Sequence, residues 1–386
     1  MSIADILPDS LNDQARFQQT AELQQNAFQW VKQGRIPLSI IVNDPKSSAG
    51  NLYHEQWLDA KWFCEFQAKV LRDTLIVGSD SMPAACINHM GNAMIPTMFS
   101  AKIRVPEDEV KTITASVGPW IYPNISDASE IEDYRAAPLP CGLVVDSERV
   151  IRYYKEHLPS WVRVGMPAKL GTFSTTELLR GADMYTDMVM NPDEIKQLLG
   201  KVTQALIDAE NYLRKAIDMP SDEFYSEYNI RGPGLRLGDD SLITISPDMI
   251  REFVWPEYEK LANAFTGKTY VHFCSMEETR YEKIYETMID CPFIVAVSSQ
   301  FGFDYYERNV DRLEGKLAIE SLYGDFEPDG ARGVAYAIKQ HGSFENWANY
   351  FVPKFKDRSG LILYFEVRSL EEGHRCWEIW QNAHKI

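Results

Sequence analysis

What this chain lacks narrows its role. Its 386 residues contain no Gly-x-Gly-x-x-Gly and no Gly-x-x-x-x-Gly-Lys-Ser/Thr element, so neither glycine loop that cradles nucleotide phosphates organises the fold. No apolar stretch approaches the roughly twenty residues that a membrane-crossing helix needs. The first residues, MSIADILPDSLNDQ, have neither the basic start nor the apolar centre of a secretory signal. Cysteine is sparse and scattered, at Cys64, Cys86, Cys141, Cys274, Cys291 and Cys376, which predicts free thiols in a reducing compartment and a soluble cytoplasmic protein. Basic clusters are missing as well. With 39 Lys and Arg against 56 Asp and Glu, the net charge is -17, a field that repels phosphate backbones and anionic lipid and argues against nucleic-acid or membrane partners.

What is present suits one large core. Hydrophobic residues make up 45% of the chain, with nine Trp, eighteen Phe and nineteen Tyr, enough to close a substantial interior with no bias toward disorder. The pattern opens with a helix over Leu11 to Gln33 and a strand over Ile36 to Val42, then a helical period from His54 to Leu71. Residues 80–140 are broken by Met82-Pro83, Gly91, Pro96, Pro106 and Gly118-Pro119 and read as an insertion near the mouth of the fold, with strand-like Lys102 to Val105 inside it. Alternation is clean thereafter. Helix Ser147 to His157, strand Val162 to Gly165, a helix beginning at Thr175 or Thr176 and a long helix Pro192 to Ile217 are followed by strands at Leu235 to Asp240, Lys268 to Cys274, Phe293 to Ser298, Lys316 to Ser321 and Leu361 to Val367. Helices are expected between them at Pro247 to Phe265, Glu277 to Ile289, Tyr305 to Leu313 and Gly330 to Gln340, and a last one at Leu370 to His384. This rhythm predicts an α/β fold of the (β/α)8 TIM-barrel type, a single domain over 1–386 with an N-terminal helical extension over 1–35.

In such a barrel the chemistry lies at the C-terminal ends of the strands. There His272-Phe273-Cys274 closes the run Thr269-Tyr270-Val271, and the period of a strand puts the imidazole and the thiol on one face. Zinc accepts nitrogen, thiolate and carboxylate ligands. His272 and Cys274 are therefore candidate metal ligands, with Glu366 and Glu320, each following apolar strand residues, as candidates to complete the shell. Asp239 and Asp240, after Gly238, are candidate catalytic carboxylates able to hold a ligand histidine, bind a hydroxyl or relay a proton. Each has a plainer alternative: the Asp pair as a turn and helix cap, His272 as a hydrogen-bonded core histidine, Cys274 as a small buried hydrophobe, and each Glu as an arginine partner. Tyr122, His89 and Arg163 could meet a substrate but read more readily as surface or packing residues, and Cys291, Cys376, Trp377 and Trp380 as structural.

Gly238-Asp239-Asp240, Ile245-Ser246-Pro247-Asp248-Met249-Ile250-Arg251-Glu252-Phe253, Trp255-Pro256, Val271-His272-Phe273-Cys274 and Gly360-Leu361-Ile362-Leu363-Tyr364-Phe365-Glu366-Val367 together resemble the uroporphyrinogen decarboxylase superfamily. The resemblance runs best from about Gly171 to the C-terminus and is faint before Cys141. It implies a single barrel and one of two activities: cofactor-free decarboxylation of a tetrapyrrole, or zinc-dependent methyl transfer between a corrinoid protein and a thiol, with related demethylases. The zinc branch carries a His-x-Cys pair after its fifth strand, matched by His272 and Cys274, and the arginine-rich N-terminal signature of the decarboxylases is not visible. Thiol-activating members add a cysteine near the end of the last strand, where this chain has Tyr364-Phe365-Glu366. The resemblance thus leads to a metal-dependent, O-demethylase-like methyltransferase acting on a small methylated substrate or thiol, with zinc as cofactor and the corrinoid supplied by a separate protein. A decarboxylase of a tetrapyrrole or other carboxylate, and a non-catalytic corrinoid- or tetrapyrrole-binding protein, are the alternatives.

Overall fold

The computed structural model describes residues 2–43, 59–87, 91–104, 120–274, 278–299, 302–322 and 341–385. The strands that build its centre are β1 (Leu38–Val42), β2 (Ala84–Ala85), β3 (Arg163–Val164), β4 (Leu235–Gly238), β5 (Thr269–His272), β6 (Ile294–Ser299), β7 (Ala318–Leu322) and β8 (Leu361–Val367). Six of them form one parallel sheet in the order β1-β8-β7-β6-β5-β4. Strands β2 and β3 pair in parallel beside it. Among the described elements, helices separate most consecutive strands, giving the alternating α/β, TIM-barrel-like arrangement expected from the sequence rhythm.

Both ends of the six-stranded arc are satisfied. At one end Gly238 N donates to Lys169 O at 2.9 Å, and Ala168 N donates to Ile87 O at 2.9 Å, so the segment after β3 lies against both neighbours. At the other, three alternate amides of β1 find side-chain acceptors: Leu38 N to Asp80 Oδ2 at 3.0 Å, Ile40 N to Ser79 Oγ at 3.1 Å and Val42 N to Thr74 Oγ1 at 3.1 Å. Buried amides need such partners, and an edge strand without them invites wrong pairing.

Alternation along each strand divides the side chains between two faces. Phe365 packs outward on Phe344 with ring centroids 5.0 Å apart, while Trp347 stacks on Trp380 at 5.6 Å. These aromatics join the helix Phe344–Phe355 to the C-terminal helix Leu370–Lys385. On the opposite face the register aligns Gly238, His272, Ser298 and Glu320 in one row and Arg236, Tyr270, Ala296 and Ala318 in the row before it.

Several boundaries move from their sequence positions. The helix expected over Leu11 to Gln33 covers Gln14–Phe28, the one expected over His54 to Leu71 covers Ala60–Val77, and Leu143–His157 begins four residues before the expected Ser147. The expected continuous helix from Pro247 is interrupted by a π-turn at Ile250–Val254. Pro256, second in the following helix Trp255–Ala264, has no N–H for the carbonyl of Glu252, and the widened turn accommodates the gap. The expected helix Gly330 to Gln340 lies outside the described residues. No helix among the described residues is long and apolar enough to cross a membrane.

Candidate active site

The chain leaves β4 at Gly238 and immediately places two carboxylates with different surroundings. Asp239 is fully buried; its N–H donates to His272 O at 2.7 Å, and its carboxylate accepts Ser174 N at 2.6 Å, Phe173 N at 3.4 Å and the Tyr258 hydroxyl at 3.0 Å. It thereby caps the helix Thr172–Arg180, whose own N-cap, Gly171, has no side chain to do so. Burial pushes the Asp239 carboxyl up to about 6 against the opposing pull of those donors. The cap expected as the plainer reading of the Asp pair is therefore supplied by Asp239, and to the helix before β4 rather than the one after it.

Asp240 stands at the strand end, half-buried, where its Oδ1 accepts the backbone N–H of Cys274 at 2.8 Å. Burial, reinforced by neighbouring Asp239 and opposed by that hydrogen bond and by Arg236, pushes its carboxyl up to about 7. His272 and Cys274, both half-buried, follow on one face of β5, with His272 Nδ1 3.1 Å from Ser298 Oγ. Asp240, His272 and Cys274 thus come together across β4 and β5.

The two glutamates expected as further ligands are held elsewhere. Glu320, fully buried on β7, accepts the Ser298 hydroxyl at 3.2 Å on Oε1, and Arg236 Nη2 lies 3.8 Å from the same oxygen. Its carboxyl is pushed up to about 7 by burial despite Arg236. Arg236 is itself gripped by both oxygens of Glu227 at 2.9 Å and lies over the rings of Tyr228 and Tyr270. Glu366 accepts from Asn43 Nδ2 at 3.2 Å and sits on β8, with β7 and β6 between it and the His272 strand. Among the described residues, no three His, Cys, Asp or Glu side chains gather closely enough to hold a metal ion.

The secondary candidates fall apart from this group. Tyr122 is 53% exposed and Arg163 is exposed on β3; His89 lies outside the described residues. Cys291 and Cys376 are buried, their thiols pushed up by burial to about 11 and about 12, as suits packing. Sequence reasoning missed Ser298, Arg236 and Glu227. The signal for the first two was a polar residue in an apolar strand, Arg236 within Leu235-Arg236-Leu237 and Ser298 after Ala296-Val297, on the parity of the site face.

No family model matches the chain, and no curated protein matches it. Among solved structures the chain is similar to a methyltransferase from Methanosarcina mazei, with a TM-score of 0.61 and 13% identity over 95% of this chain and 98% of that one. At that identity the likeness is one of fold, and it extends over nearly the whole of both chains.

Proposed function

We propose that this chain is a methyltransferase-like enzyme that works at the C-terminal ends of β4 and β5 and moves a methyl group between a small methylated molecule or thiol and a corrinoid carried by a separate protein. The observation that carries this reading is the convergence of Asp240 with the His272-x-Cys274 pair through the 2.8 Å bond from Cys274 N to Asp240 Oδ1. The end-to-end likeness in fold to the Methanosarcina mazei methyltransferase supports it, as does its position where barrels keep their chemistry. In the same reading the arc is a closed barrel, with the Lys169 segment and the Asp80, Ser79 and Thr74 acceptors at its seams.

Zinc takes nitrogen, thiolate and carboxylate donors. His272 and Cys274 fit in chemistry and in sharing a face, whereas Glu320 and Glu366 are held by Ser298 with Arg236 and by Asn43. The described residues do not complete a shell. His272 and Cys274 would hold the ion, which when bound supplies a Lewis acid that favours a thiolate or polarises the atom losing its methyl group.

The chain's own acid is Asp240. Its Oδ1 is committed to the Cys274 amide, so Oδ2 is the oxygen that carries the proton. As the methyl group passes from its oxygen, nitrogen or sulfur to the reduced corrinoid of the partner, which would supply the electron pair of the new bond, the atom left behind keeps the old bonding pair and takes the Oδ2 proton, and the carboxylate is reprotonated from solvent. Asp239 positions this arrangement by clamping the His272 carbonyl and the helix Thr172–Arg180.

Elemental analysis of the purified chain beside His272→Ala and Cys274→Ala tests the metal-binding pair, with zinc at one per chain expected in wild type and lost in both variants. Corrinoid absorbance with methyl ethers, methylamines and methylthiols then tests transfer. Release of carbon dioxide from a carboxylate substrate by metal-free protein would overturn the proposal in favour of a decarboxylase.

A further inference from the structure

Arg236, Glu320, Ser298 and His272 form a chain of polar groups across the strand ends, and its polarity is set when Glu320 is ionised. A serine hydroxyl has one proton to give. Here it goes to Glu320 Oε1, at 3.2 Å, and that oxygen faces the Arg236 guanidinium at 3.8 Å, which favours its role as an anionic acceptor. Ser298 Oγ therefore has only lone pairs to offer His272 Nδ1, 3.1 Å away. With Glu320 ionised, Nδ1 is the donor in that contact.

We propose that Glu320 and Ser298 are positioning residues that hold His272 in the Nδ1–H form, so that Nε2 is the nitrogen carrying the lone pair. This gives Glu320 a role other than metal ligand, one step behind the imidazole. Arg236 keeps the acceptor end in place because Glu227 grips it with both oxygens at 2.9 Å, and Ser298 and Glu320 are fully buried, so water does not compete for either group. The inference deepens the methyltransferase reading, because an imidazole that binds a metal or takes a proton does so through an unprotonated nitrogen. It does not depend on that reading for its test.

Nitrogen chemical shifts of the full chain labelled with 15N-histidine, stripped of metal by chelation and held near pH 8, report which ring nitrogen bears hydrogen. Only seven histidines contribute signals, and His272→Gln identifies the relevant one. Wild type is expected to show His272 protonated at Nδ1. In Ser298→Ala and Glu320→Gln the preference for Nδ1–H should fall roughly tenfold, the effect of losing about one hydrogen bond, and Ser298→Thr, which keeps the hydroxyl, should restore it. Nε2–H in wild type, or an unchanged His272 signal in a folded Ser298→Ala chain, would overturn the inference. Loss of zinc binding in the elemental analysis would leave it standing.

Discussion

At the scale of single residues, burial with few compensating charges separates the acids that hold protons from those that bind cations. Asp240 retains its proton to about pH 7 because burial and the Asp239 carboxylate both oppose ionisation. If it is the acid, its protonated form drives transfer, and the rate should fall as the pH rises through about 7. Asp240→Asn keeps an oxygen for the Cys274 amide but has no proton to give. Its corrinoid-linked rate should drop by about 10² to 10⁴ and lose that alkaline limb, while its thermal midpoint stays close to wild type. Glu320 gives a second pH signature. Its folded value, about 7, lies above its unfolded value, so between about 4.3 and 7 the unfolded chain ionises first and the native state loses stability with rising pH, by at most about 1.4 kcal/mol per pH unit. Urea unfolding across that window should show Glu320→Gln with a shallower decline; parallel curves would refute the assignment. That His272 and Cys274 share a face and that the Asp pair stands at a strand end could be read from the chain, because strand parity and strand-end position are local properties. An arginine partner for Glu320 is among the plainer readings, but that the partner is Arg236, with Ser298 beside it, could not be read, since β4, β5, β6 and β7 must be aligned in register before those groups meet.

At the scale of elements, periodic segments were legible and interrupted ones were not. The helix Pro192–Ile217 and the strand Leu361–Val367 stand where the sequence puts them. Pro192 opens one, and the other is a seven-residue run, apolar but for Glu366, ahead of a polar turn. The helix Phe344–Phe355 escaped notice, although Ser343 caps it and Phe344, Trp347, Ala348, Phe351, Val352 and Phe355 repeat with helical spacing. Pro353 masks the pattern, but in the last turn its missing N–H costs a single bond to the Asn349 carbonyl. Strand β2 escaped for a different reason: two alanines carry no periodicity, and only the partner Arg163–Val164 makes them a strand. The helix Thr172–Arg180 depends on a glycine that looks dispensable in sequence. A Cβ at Gly171 would stand 2.6 Å from Asp239 Oδ2 and 2.7 Å from its Cγ, inside contact distance. Gly171→Ala should therefore push Asp239 from the helix N-terminus and cost about 1 to 3 kcal/mol. Thermal unfolding should register the loss, and a midpoint equal to wild type would show that the cap is not used.

At the scale of the whole molecule, the parallel arc depends on a buried charge cluster where the Lys169 segment meets β4. Lys169 Nζ lies 2.8 Å from Glu210 Oε2 and Arg214 Nε 2.8 Å from Glu210 Oε1, with all three side chains at most 4% exposed. Arg214 also donates to the carbonyls of Pro220, Glu223 and Gly234, tying the long helix to the turn that enters β4. Burial alone would raise the Glu210 carboxyl, but Lys169 and Arg214 more than offset it and hold it below its ordinary value. Its contribution to stability is therefore present above the unfolded carboxylate range and lost as the pH falls through the lower folded value. Removing the anion strands two cations inside the protein, so Glu210→Gln should cost about 3 to 5 kcal/mol. Adding Lys169→Met removes one of the stranded charges and replaces it with a side chain that packs, so the double variant should recover part of that loss. A coupling of about 1 kcal/mol or more in the urea double-mutant cycle is expected for charges in one network. Strict additivity would mean that Lys169 and Glu210 act independently, and that the seam beside β4, on which Gly238 and the two carboxylates after it depend, is held by backbone bonds alone.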